Sequence, residues 1–130
     1  MTLVRLGANV SYVGKVGDDE FGRFLIEAFE KEGVDTKNIV IEKGGSCLFA
    51  FIIVDKKTGK RTIVWSRAHI SNLHPGEMNR KAVTDGKILH VDQYDIDAAI
   101  TAARWAKEAG IMVVFDAESM GRGVKRLLKL

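Results

Sequence analysis

The alternation of apolar and polar positions divides the chain of 130 residues into short strands and amphipathic helices. Val10 to Val13 has the β-branched and aromatic composition of a strand. Gly14 and Gly17 follow and predict a tight turn, because glycine lets the backbone turn with little steric obstruction. Beyond this turn, apolar residues recur at helical spacing, which predicts a helix that ends at Gly33. Its apolar positions are Phe21, Phe24, Leu25, Ala28 and Phe29.

The middle of the chain predicts a β-hairpin. A short strand over 38–41 is followed by a glycine turn and by a longer strand over 46–54. The longer strand is apolar on both faces, so we expect it to be covered on both sides. A polar turn over 56–60 then leads to a returning strand over 61–67.

The pairing of the two hairpin strands can be argued from their side chains. Pairing Asp55 with Arg61 sets opposite charges and aromatic side chains across from each other, and each such pair contributes roughly 0.2–1 kcal/mol. A two-residue turn at Thr58–Gly59 would instead place lysines opposite each other. We therefore predict the first pairing, which gives the hairpin one face with Phe49, Phe51, Trp65 and Arg67.

The second half of the chain predicts a strand–helix–strand unit, preceded by a short helix over 77–83. Residues 88–91 form a buried strand, Asp95 caps a helix that runs to Ala109, and 111–115 form the next strand. A connection of this length predicts a parallel pair. Ligands of parallel sheets bind beyond the carboxyl ends of the strands. The residues expected at this edge are Gly14, Lys15, Asp92, Gln93 and Asp116.

Composition narrows the classes of function. The net charge of +3 is spread along the chain, which indicates a solvated surface and not a nucleic-acid interface. We expect neither a membrane span nor a signal peptide. A single cysteine, Cys47, excludes an internal disulfide and favours a reducing cytoplasm. Nucleic-acid binding is the weakest candidate, and it would use Arg122, Lys125, Arg126 and Lys129.

Three groups of residues are candidates for chemistry, and each has a structural alternative. The glycine-rich stretch 14–22 could cradle a phosphate, but it lacks the P-loop pattern, so we favour a turn and a helix cap at Asp18 and Asp19. These carboxylates diverge on consecutive positions, so we predict no metal site. The predicted hairpin face could stack on a sugar, or it could fill a core or a dimer interface. Asp92 and Asp116 could accept hydroxyl groups, or they could form turns and caps.

Several spaced segments resemble a known family. They are Leu6-Gly7-Ala8, Val13-Gly14-Lys15-Val16-Gly17-Asp18-Asp19 with Phe21-Gly22, Glu32-Gly33-Val34-Asp35-Thr36, the stretch 48–62, and Val114-Phe115-Asp116. In this order they resemble the N-terminal and lid portion of the PfkB/ribokinase family of carbohydrate kinases. The resemblance implies a ribokinase-like α/β fold, in which helices flank a parallel sheet. It implies a small hairpin lid over about 38–67, inserted between the α/β segments 1–37 and 77–130.

The resemblance also implies an activity. Members of the family transfer a phosphoryl group from ATP, with Mg²⁺, to a sugar or nucleoside hydroxyl. The family's catalytic Gly-Ala-Gly-Asp motif is not in this sequence, and both ends look cut, so we expect a partial domain that is inactive alone. Kinases of keto-deoxy sugar acids in the family have lid residues that Phe49 and Trp65-x-Arg67 resemble. Lid-to-lid homodimers are common in the family, and the residues that would suit such an interface are Leu48, Ala50, Ile52 and Val54.

Two stretches depart from the family pattern. Arg67-Ala68-His69 stands where many members have Gly-Ala-Asn, which weighs against ribose as the substrate. Asp116-Ala117-Glu118-Ser119 stands where sugar-acid kinases often have Asp-Pro-Asn and a nearby arginine, which weighs against a sugar acid. The alternative functions are a non-catalytic ligand-binding or oligomerisation module and part of a nucleoside kinase.

Overall fold

The computed structural model describes residues 1–66, 69–121 and 123–130. In this part of the chain, no helix has the length and apolar character needed to cross a bilayer. The helices and strands are α1 (Thr2–Arg5), β1 (Ser11–Gly17), α2 (Glu20–Lys31), β2 (Asp35–Glu42), β3 (Phe49–Val54), β4 (Arg61–Ser66), a 3₁₀ turn (Pro75–Glu77), α3 (Arg80–Thr84), β5 (Ile88–Val91), α4 (Ile96–Glu108), β6 (Met112–Phe115) and α5 (Val124–Leu127).

Two parallel strand pairs and one antiparallel hairpin form the sheets of the described residues. β1 pairs with β2 through the crossover helix α2, and β5 pairs with β6 through α4. Both pairs are parallel, which confirms the α/β class and the predicted strand–helix–strand unit of the second half. The hairpin of β3 and β4 is inserted between the two units.

The core lies where α4 packs against the pair β5–β6. The prediction that the whole of β5 is buried is wrong, since Val91 is buried but Ile88 is 60% exposed. The apolar stripe of α2 is also largely on the surface, with Phe21 and Phe24 both exposed. Burial is therefore concentrated on the small side chains of α4. The buried cluster consists of Val91, Ala99, Ile100, Ala103 and Leu127.

The first strand is longer than predicted, because Gly14 and Gly17 belong to it and do not form a turn. Neither glycine has a positive φ. They are needed for close approach instead: the ring of Tyr12 lies over Gly14, where an added Cβ would come within 2.5 Å of ring carbon Cε1. At Gly17, an added Cβ would overlap the carbonyl oxygen of Gly45. Both glycines therefore mark places where other groups pack directly on the strand.

The predicted pairing of the hairpin strands is wrong by one residue. Val54 lies opposite Arg61, and the Asp55 N–H donates to the carbonyl oxygen of Lys60 at 2.9 Å. Asp55 is not paired across from Arg61, because its Oδ1 accepts hydrogen bonds from two backbone N–H groups within the turn. This Asx turn sets a register that neither of the two pairings considered from the sequence contained.

The observed register separates aromatic side chains that were predicted to share a face. Side chains alternate between the faces of a strand, so a slip by one residue moves them to the other side. Phe49 and Phe51 lie on one face, whereas Trp65 pairs with Ala50 on the other face. Arg67, the fourth member of the predicted face, lies outside the described residues. The prediction that Phe49, Phe51 and Trp65 share one face is therefore wrong.

Both faces of the hairpin are exposed in this chain, contrary to the expectation that each is covered. Phe51 is 67% exposed on one face, and Ile52 is 58% exposed on the other. Near the base of the hairpin, Phe49 stacks on Phe21 of α2 with ring centroids 6.0 Å apart, and Phe51 meets Phe49 edge-on at 5.6 Å. These rings connect one face of the hairpin to the start of α2.

Candidate functional site

A cavity of about 330 Å³ lies beyond the carboxyl ends of β5 and β6. Asp92 and Gln93 directly follow β5, and Asp116 directly follows β6. Because the two strands are parallel, their carboxyl ends meet at one edge. The structure therefore brings these three predicted residues together. The full lining consists of Asp92, Gln93, Tyr94, Asp116 and Glu118.

Hydrogen bonds connect the two loops that form this cavity. Gln93 Nε2 donates to Ser119 Oγ at 2.8 Å, and the Ser119 N–H donates to Gln93 Oε1 at 3.1 Å. Asp92 Oδ1 accepts the N–H of Tyr94 at 2.9 Å, which forms an Asx turn. Gln93 therefore joins the loop after β5 to the loop after β6, and one oxygen of Asp92 shapes the first of these loops.

The lining of the cavity is acidic. Asp92, Asp116 and Glu118 contribute carboxylates, and none of the five lining residues is cationic. Carboxylate oxygens accept charge-assisted hydrogen bonds from hydroxyl groups, so this lining suits a ligand with several hydroxyls. A triphosphate does not fit it, because phosphate groups need cations or backbone N–H groups.

The described residues also offer no metal-binding cluster. In the ranges 1–66, 69–121 and 123–130, no group of three or more His, Cys, Asp or Glu side chains is arranged to hold a metal ion. We therefore assign neither ATP nor Mg²⁺ to residues of this cavity.

Tyr12, which was not predicted from the sequence, lies near the acidic edge. Tyr12 is 43% exposed, and the loss of water around its covered part raises the pKa of its phenol, which the negative charges of Asp92 and Asp95 raise further. The ring also packs against Phe29 of α2, with ring centroids 4.9 Å apart. Tyr12 therefore belongs to the first α/β unit and lies within electrostatic range of the acidic edge of the second. The only signal for it in the sequence is Gly14, which leaves room for the ring.

Lys15 lies inside β1 and not at its end, and neither Lys15 nor Gly14 lines the cavity. The side chain of Lys15 is 7% exposed. Its Nζ lies 2.7 Å from Glu77 Oε1, 2.9 Å from Ser71 Oγ and 3.0 Å from Glu42 Oε2. Lys15 therefore joins β1 to the end of β2 and to the segment that follows the hairpin. We refer to Lys15, Glu42, Ser71 and Glu77 as the Lys15 network.

The charged groups of the Lys15 network have shifted pKa values. Burial alone would lower the pKa of Lys15, but hydrogen bonds to Glu77 and Glu42 raise it above its ordinary value. Hydrogen bonds from Ser71 and then from Lys15 lower the pKa of Glu42. Lys15 and then the His74 N–H lower the pKa of Glu77 in the same way. At neutral pH the network therefore consists of one ammonium group and two carboxylates.

The predicted cap of the first long helix is confirmed at Asp19, whose Oδ1 accepts the Gly22 N–H at 2.8 Å. That hydrogen bond, and a second from the Cys47 N–H to Oδ2 at 2.9 Å, lower the pKa of Asp19. Asp18 Oδ2 accepts the N–H of Gly44 at 3.0 Å. The two aspartates thus attach the segment that leads into the hairpin. Sequence reasoning missed this role, because it assigned them to capping alone.

The other predicted site residues are not at the cavity. Phe49 and Trp65 belong to the hairpin and are absent from the lining, and Arg67 lies outside the described residues. The structure thus brings together Asp92, Gln93 and Asp116, and it does not bring Gly14, Lys15, Phe49 or Trp65 to them.

The fold is that of an α/β protein whose parallel strands β5 and β6 end at an acidic edge, which is the place where open α/β sheets commonly bind ligands. The family model described as pfkB family carbohydrate kinase matches residues 1–130. The chain therefore belongs to the pfkB family of carbohydrate kinases, as the resemblance implied.

Relatives and solved structures agree with this assignment. "Probable fructokinase-2" of Arabidopsis thaliana is 32% identical over 120 residues, which are 86% of this chain and 36% of that protein. The crystal structure of a fructokinase from Xylella fastidiosa superposes with a TM-score of 0.83 at 27% identity, over 98% of this chain and 43% of that one. A putative ribokinase II from E. coli shares the fold, with a TM-score of 0.79 at 23% identity, over 87% of this chain and 39% of that one. The ribokinase-like fold is thus confirmed, and the chain spans less than half the length of these proteins.

Proposed function

We propose that this chain is the sugar-binding and lid portion of an ATP-dependent carbohydrate kinase, with D-fructose as the first candidate substrate. The observation that carries the proposal is the acidic cavity beyond β5 and β6, in a chain that belongs to the pfkB family. The choice of fructose is supported by the name fructokinase that similar proteins carry.

In this proposal, Asp92, Gln93 and Asp116 bind the sugar. Carboxylate and amide oxygens accept hydrogen bonds from hydroxyl groups, and the bonds to carboxylates are charge-assisted. Phosphoryl transfer depends mainly on positioning and electrostatic stabilisation. The contribution of this chain is therefore to hold the sugar so that one hydroxyl points toward the phosphoryl donor.

The hairpin supplies an apolar cover for the sugar. An aromatic ring can pack on the apolar face of a sugar, but Phe49 and Trp65 lie on opposite faces of the hairpin, so one of them at most serves this purpose. We choose Phe49, because it already contacts the body of the protein through Phe21. A contact from Arg67 stays a prediction. We leave Gly14 and Lys15 out of the proposed site, since the ammonium group of Lys15 is engaged in the Lys15 network.

No catalytic residue is assigned to this chain. ATP and Mg²⁺ are expected of the family, and a fructokinase from Xylella fastidiosa has been solved with bound ATP. The acidic cavity, however, would repel a triphosphate. We therefore propose that these 130 residues bind a sugar without phosphorylating it. We also propose a cytoplasmic location, which suits a single buried cysteine.

Isothermal titration calorimetry with D-fructose, D-ribose, D-gluconate and adenosine tests the proposal. We expect saturable binding of fructose, and Asp116→Asn should weaken it by about tenfold, because a charge-assisted hydrogen bond is lost. The control is Asp97→Asn, an exposed residue of α4 that does not line the cavity. A coupled ATP assay should show no turnover. Absence of sugar binding, or equal affinity in Asp116→Asn, would overturn the proposal.

A second candidate function, homodimerisation through the hairpin, is favoured by the exposure of its apolar side chains. Ile52 and Trp65 lie on one face and are 58% and 61% exposed. We propose that this face pairs with a second copy of the chain, since burial of apolar surface drives association. Ile52→Lys should then abolish the dimer in sedimentation velocity, whereas Ile53→Lys on the opposite face should not. A monomeric wild-type chain would remove this candidate.

A further inference from the structure

Two segments connect the hairpin to the body of the protein, and they are held in different ways. The entering segment, 43–48, is attached by backbone N–H groups. Asp18 and Asp19 accept the N–H groups of Gly44 and Cys47, and Cys47 Sγ accepts the Gly17 N–H at 3.1 Å. These hydrogen bonds attach the entering segment to the end of β1 and to the start of α2. The entering segment therefore has little freedom to move relative to them.

The returning segment, of which the structure describes 69–74 before the 3₁₀ turn, is attached through side chains. Ser71 donates its hydroxyl to Glu42 Oε2 at 2.5 Å and its N–H to both carboxylate oxygens at 3.2 Å. The Lys15 ammonium group contacts the same hydroxyl and the same carboxylate. Among the described residues of the two segments, one backbone hydrogen bond joins them, from the Ser46 N–H to the His69 carbonyl oxygen at 3.3 Å.

Glu42 is the acceptor that these contacts share. It is the last residue of β2, immediately before the entering segment, and it binds Ser71 of the returning segment. Its charge also balances Lys15, which is 7% exposed. If Glu42 loses its charge, Lys15 keeps Glu77 as a partner at 2.7 Å, but the hydroxyl and the N–H of Ser71 lose the carboxylate that accepts both of their hydrogen bonds. Loss of the Glu42 charge would therefore loosen the returning segment while the entering segment stays attached.

We propose that Glu42 is a positioning residue, which sets the angle between the hairpin and the body by holding Ser71 and Lys15. With one segment fixed and the other released, the hairpin would swing about the entering segment. The consequence for ligand binding rests on the proposed function: the angle determines whether the hairpin covers a sugar held at Asp92 and Asp116.

The test compares Glu42→Gln with Glu32→Gln. Glu32 is a matched control, because it also pairs with one basic residue, Arg5, and its side chain is 24% exposed against 27% for Glu42. Spin labels on Lys57→Cys at the hairpin turn and Arg104→Cys on α4 report the hairpin angle through their distance distribution. We expect Glu42→Gln to broaden this distribution by about twofold. Glu32→Gln should leave it unchanged, and equal widths in the two variants would overturn the proposal.

Two further measurements separate the possible causes. Hydrogen exchange should be about tenfold faster at Ser46 and Ser71 in Glu42→Gln, with α4 amides unchanged. If the α4 amides also exchange faster, Glu42→Gln unfolds globally, and its label distances no longer report the hairpin angle. Ser71→Ala is then measured in its place, and a distance distribution as narrow as that of the wild type would contradict the proposal. Fructose affinity should fall about tenfold in Glu42→Gln and not in Glu32→Gln. If the wild-type chain binds no sugar, the proposed function is wrong. The label distances still test the role of Glu42 in that case, because they are measured without sugar.

Discussion

The base of the hairpin and the hairpin strands are neighbours in the chain, but different forces set their geometry. At the base, the contacts are specific and directional: Asp19 accepts hydrogen bonds from the N–H groups of Gly22 and Cys47, and Gly17 leaves room for the Gly45 carbonyl group. In the strands, apolar side chains line both faces, and most of them are exposed. The geometry at the base is therefore specified by directional contacts, whereas the strands rely on the turn that joins them.

This difference explains why the pairing of the strands was mispredicted. When only one face of a strand is apolar, a slip by one residue exposes the whole apolar set, which is costly. When both faces are apolar, the slip costs almost nothing in burial, so the pattern contains no information on register. The turn then decides, and its carboxylate, Asp55, bonds to backbone N–H groups.

The largest expected effect is at the base, in Gly22→Ala. An added Cβ at Gly22 would overlap the carbonyl oxygen of Gly17, so strand and helix would have to separate. We expect the free energy of unfolding to fall by about 3 kcal/mol or more. The control is Gly86→Ala, where the nearest atom would be 3.6 Å away, an ordinary contact. Urea unfolding gives the free energy of unfolding of both variants. Equal values for Gly22→Ala and Gly86→Ala would contradict the close packing at the base.

A smaller loss is expected for Asp19→Ala, which removes the helix cap and the acceptor for the Cys47 N–H. An N-cap carboxylate contributes about 0.5–2 kcal/mol, and we expect the upper end of this range because two N–H groups lose their partner. Asp18→Ala, which removes one hydrogen bond, should cost less. The prediction fails if chemical denaturation gives Asp18→Ala the larger loss.

Acidification should destabilise the protein through the same region. The pKa values of Asp19, Glu42 and Glu77 are lowered in the folded protein from ordinary values of 3.8, 4.5 and 4.5. Their stabilising contribution is thus present above these ordinary values, and it is lost as the pH falls through the lower folded values. The urea midpoint should therefore drop below pH 4.5. The urea midpoint of Glu42→Gln should depend less steeply on pH than that of the wild type. An equal pH dependence would contradict the contribution assigned to the Glu42 carboxylate.

The smallest effect is expected in the strands. Ile52 is 58% exposed, so Ile52→Thr, which keeps the β-branched shape, should change the free energy of unfolding of the monomer by less than about 0.5 kcal/mol. A thermal unfolding curve of a dilute sample measures this change. A loss above about 1 kcal/mol would mean that this face is packed in solution, which would remove the contrast between base and strands.

The order of elements could be predicted, because periodicity and glycine positions report local structure directly. The α4 crossover between parallel strands, the stop at Gly33 and the cap at Asp19 are examples. The Lys15 network could not be predicted, since it joins residues 56 and 62 positions apart in sequence, which no local pattern reveals. The acidic edge was predictable because the carboxyl ends of parallel strands necessarily meet.

The most direct test of the proposed sugar site is a titration of the ¹⁵N-labelled chain with D-fructose, followed in amide correlation spectra. We expect saturable shifts at the amides of Asp92, Gln93 and Asp116, which stand at the ends of β5 and β6. Saturable shifts confined to the hairpin, or no saturable shift at these amides, would contradict the account.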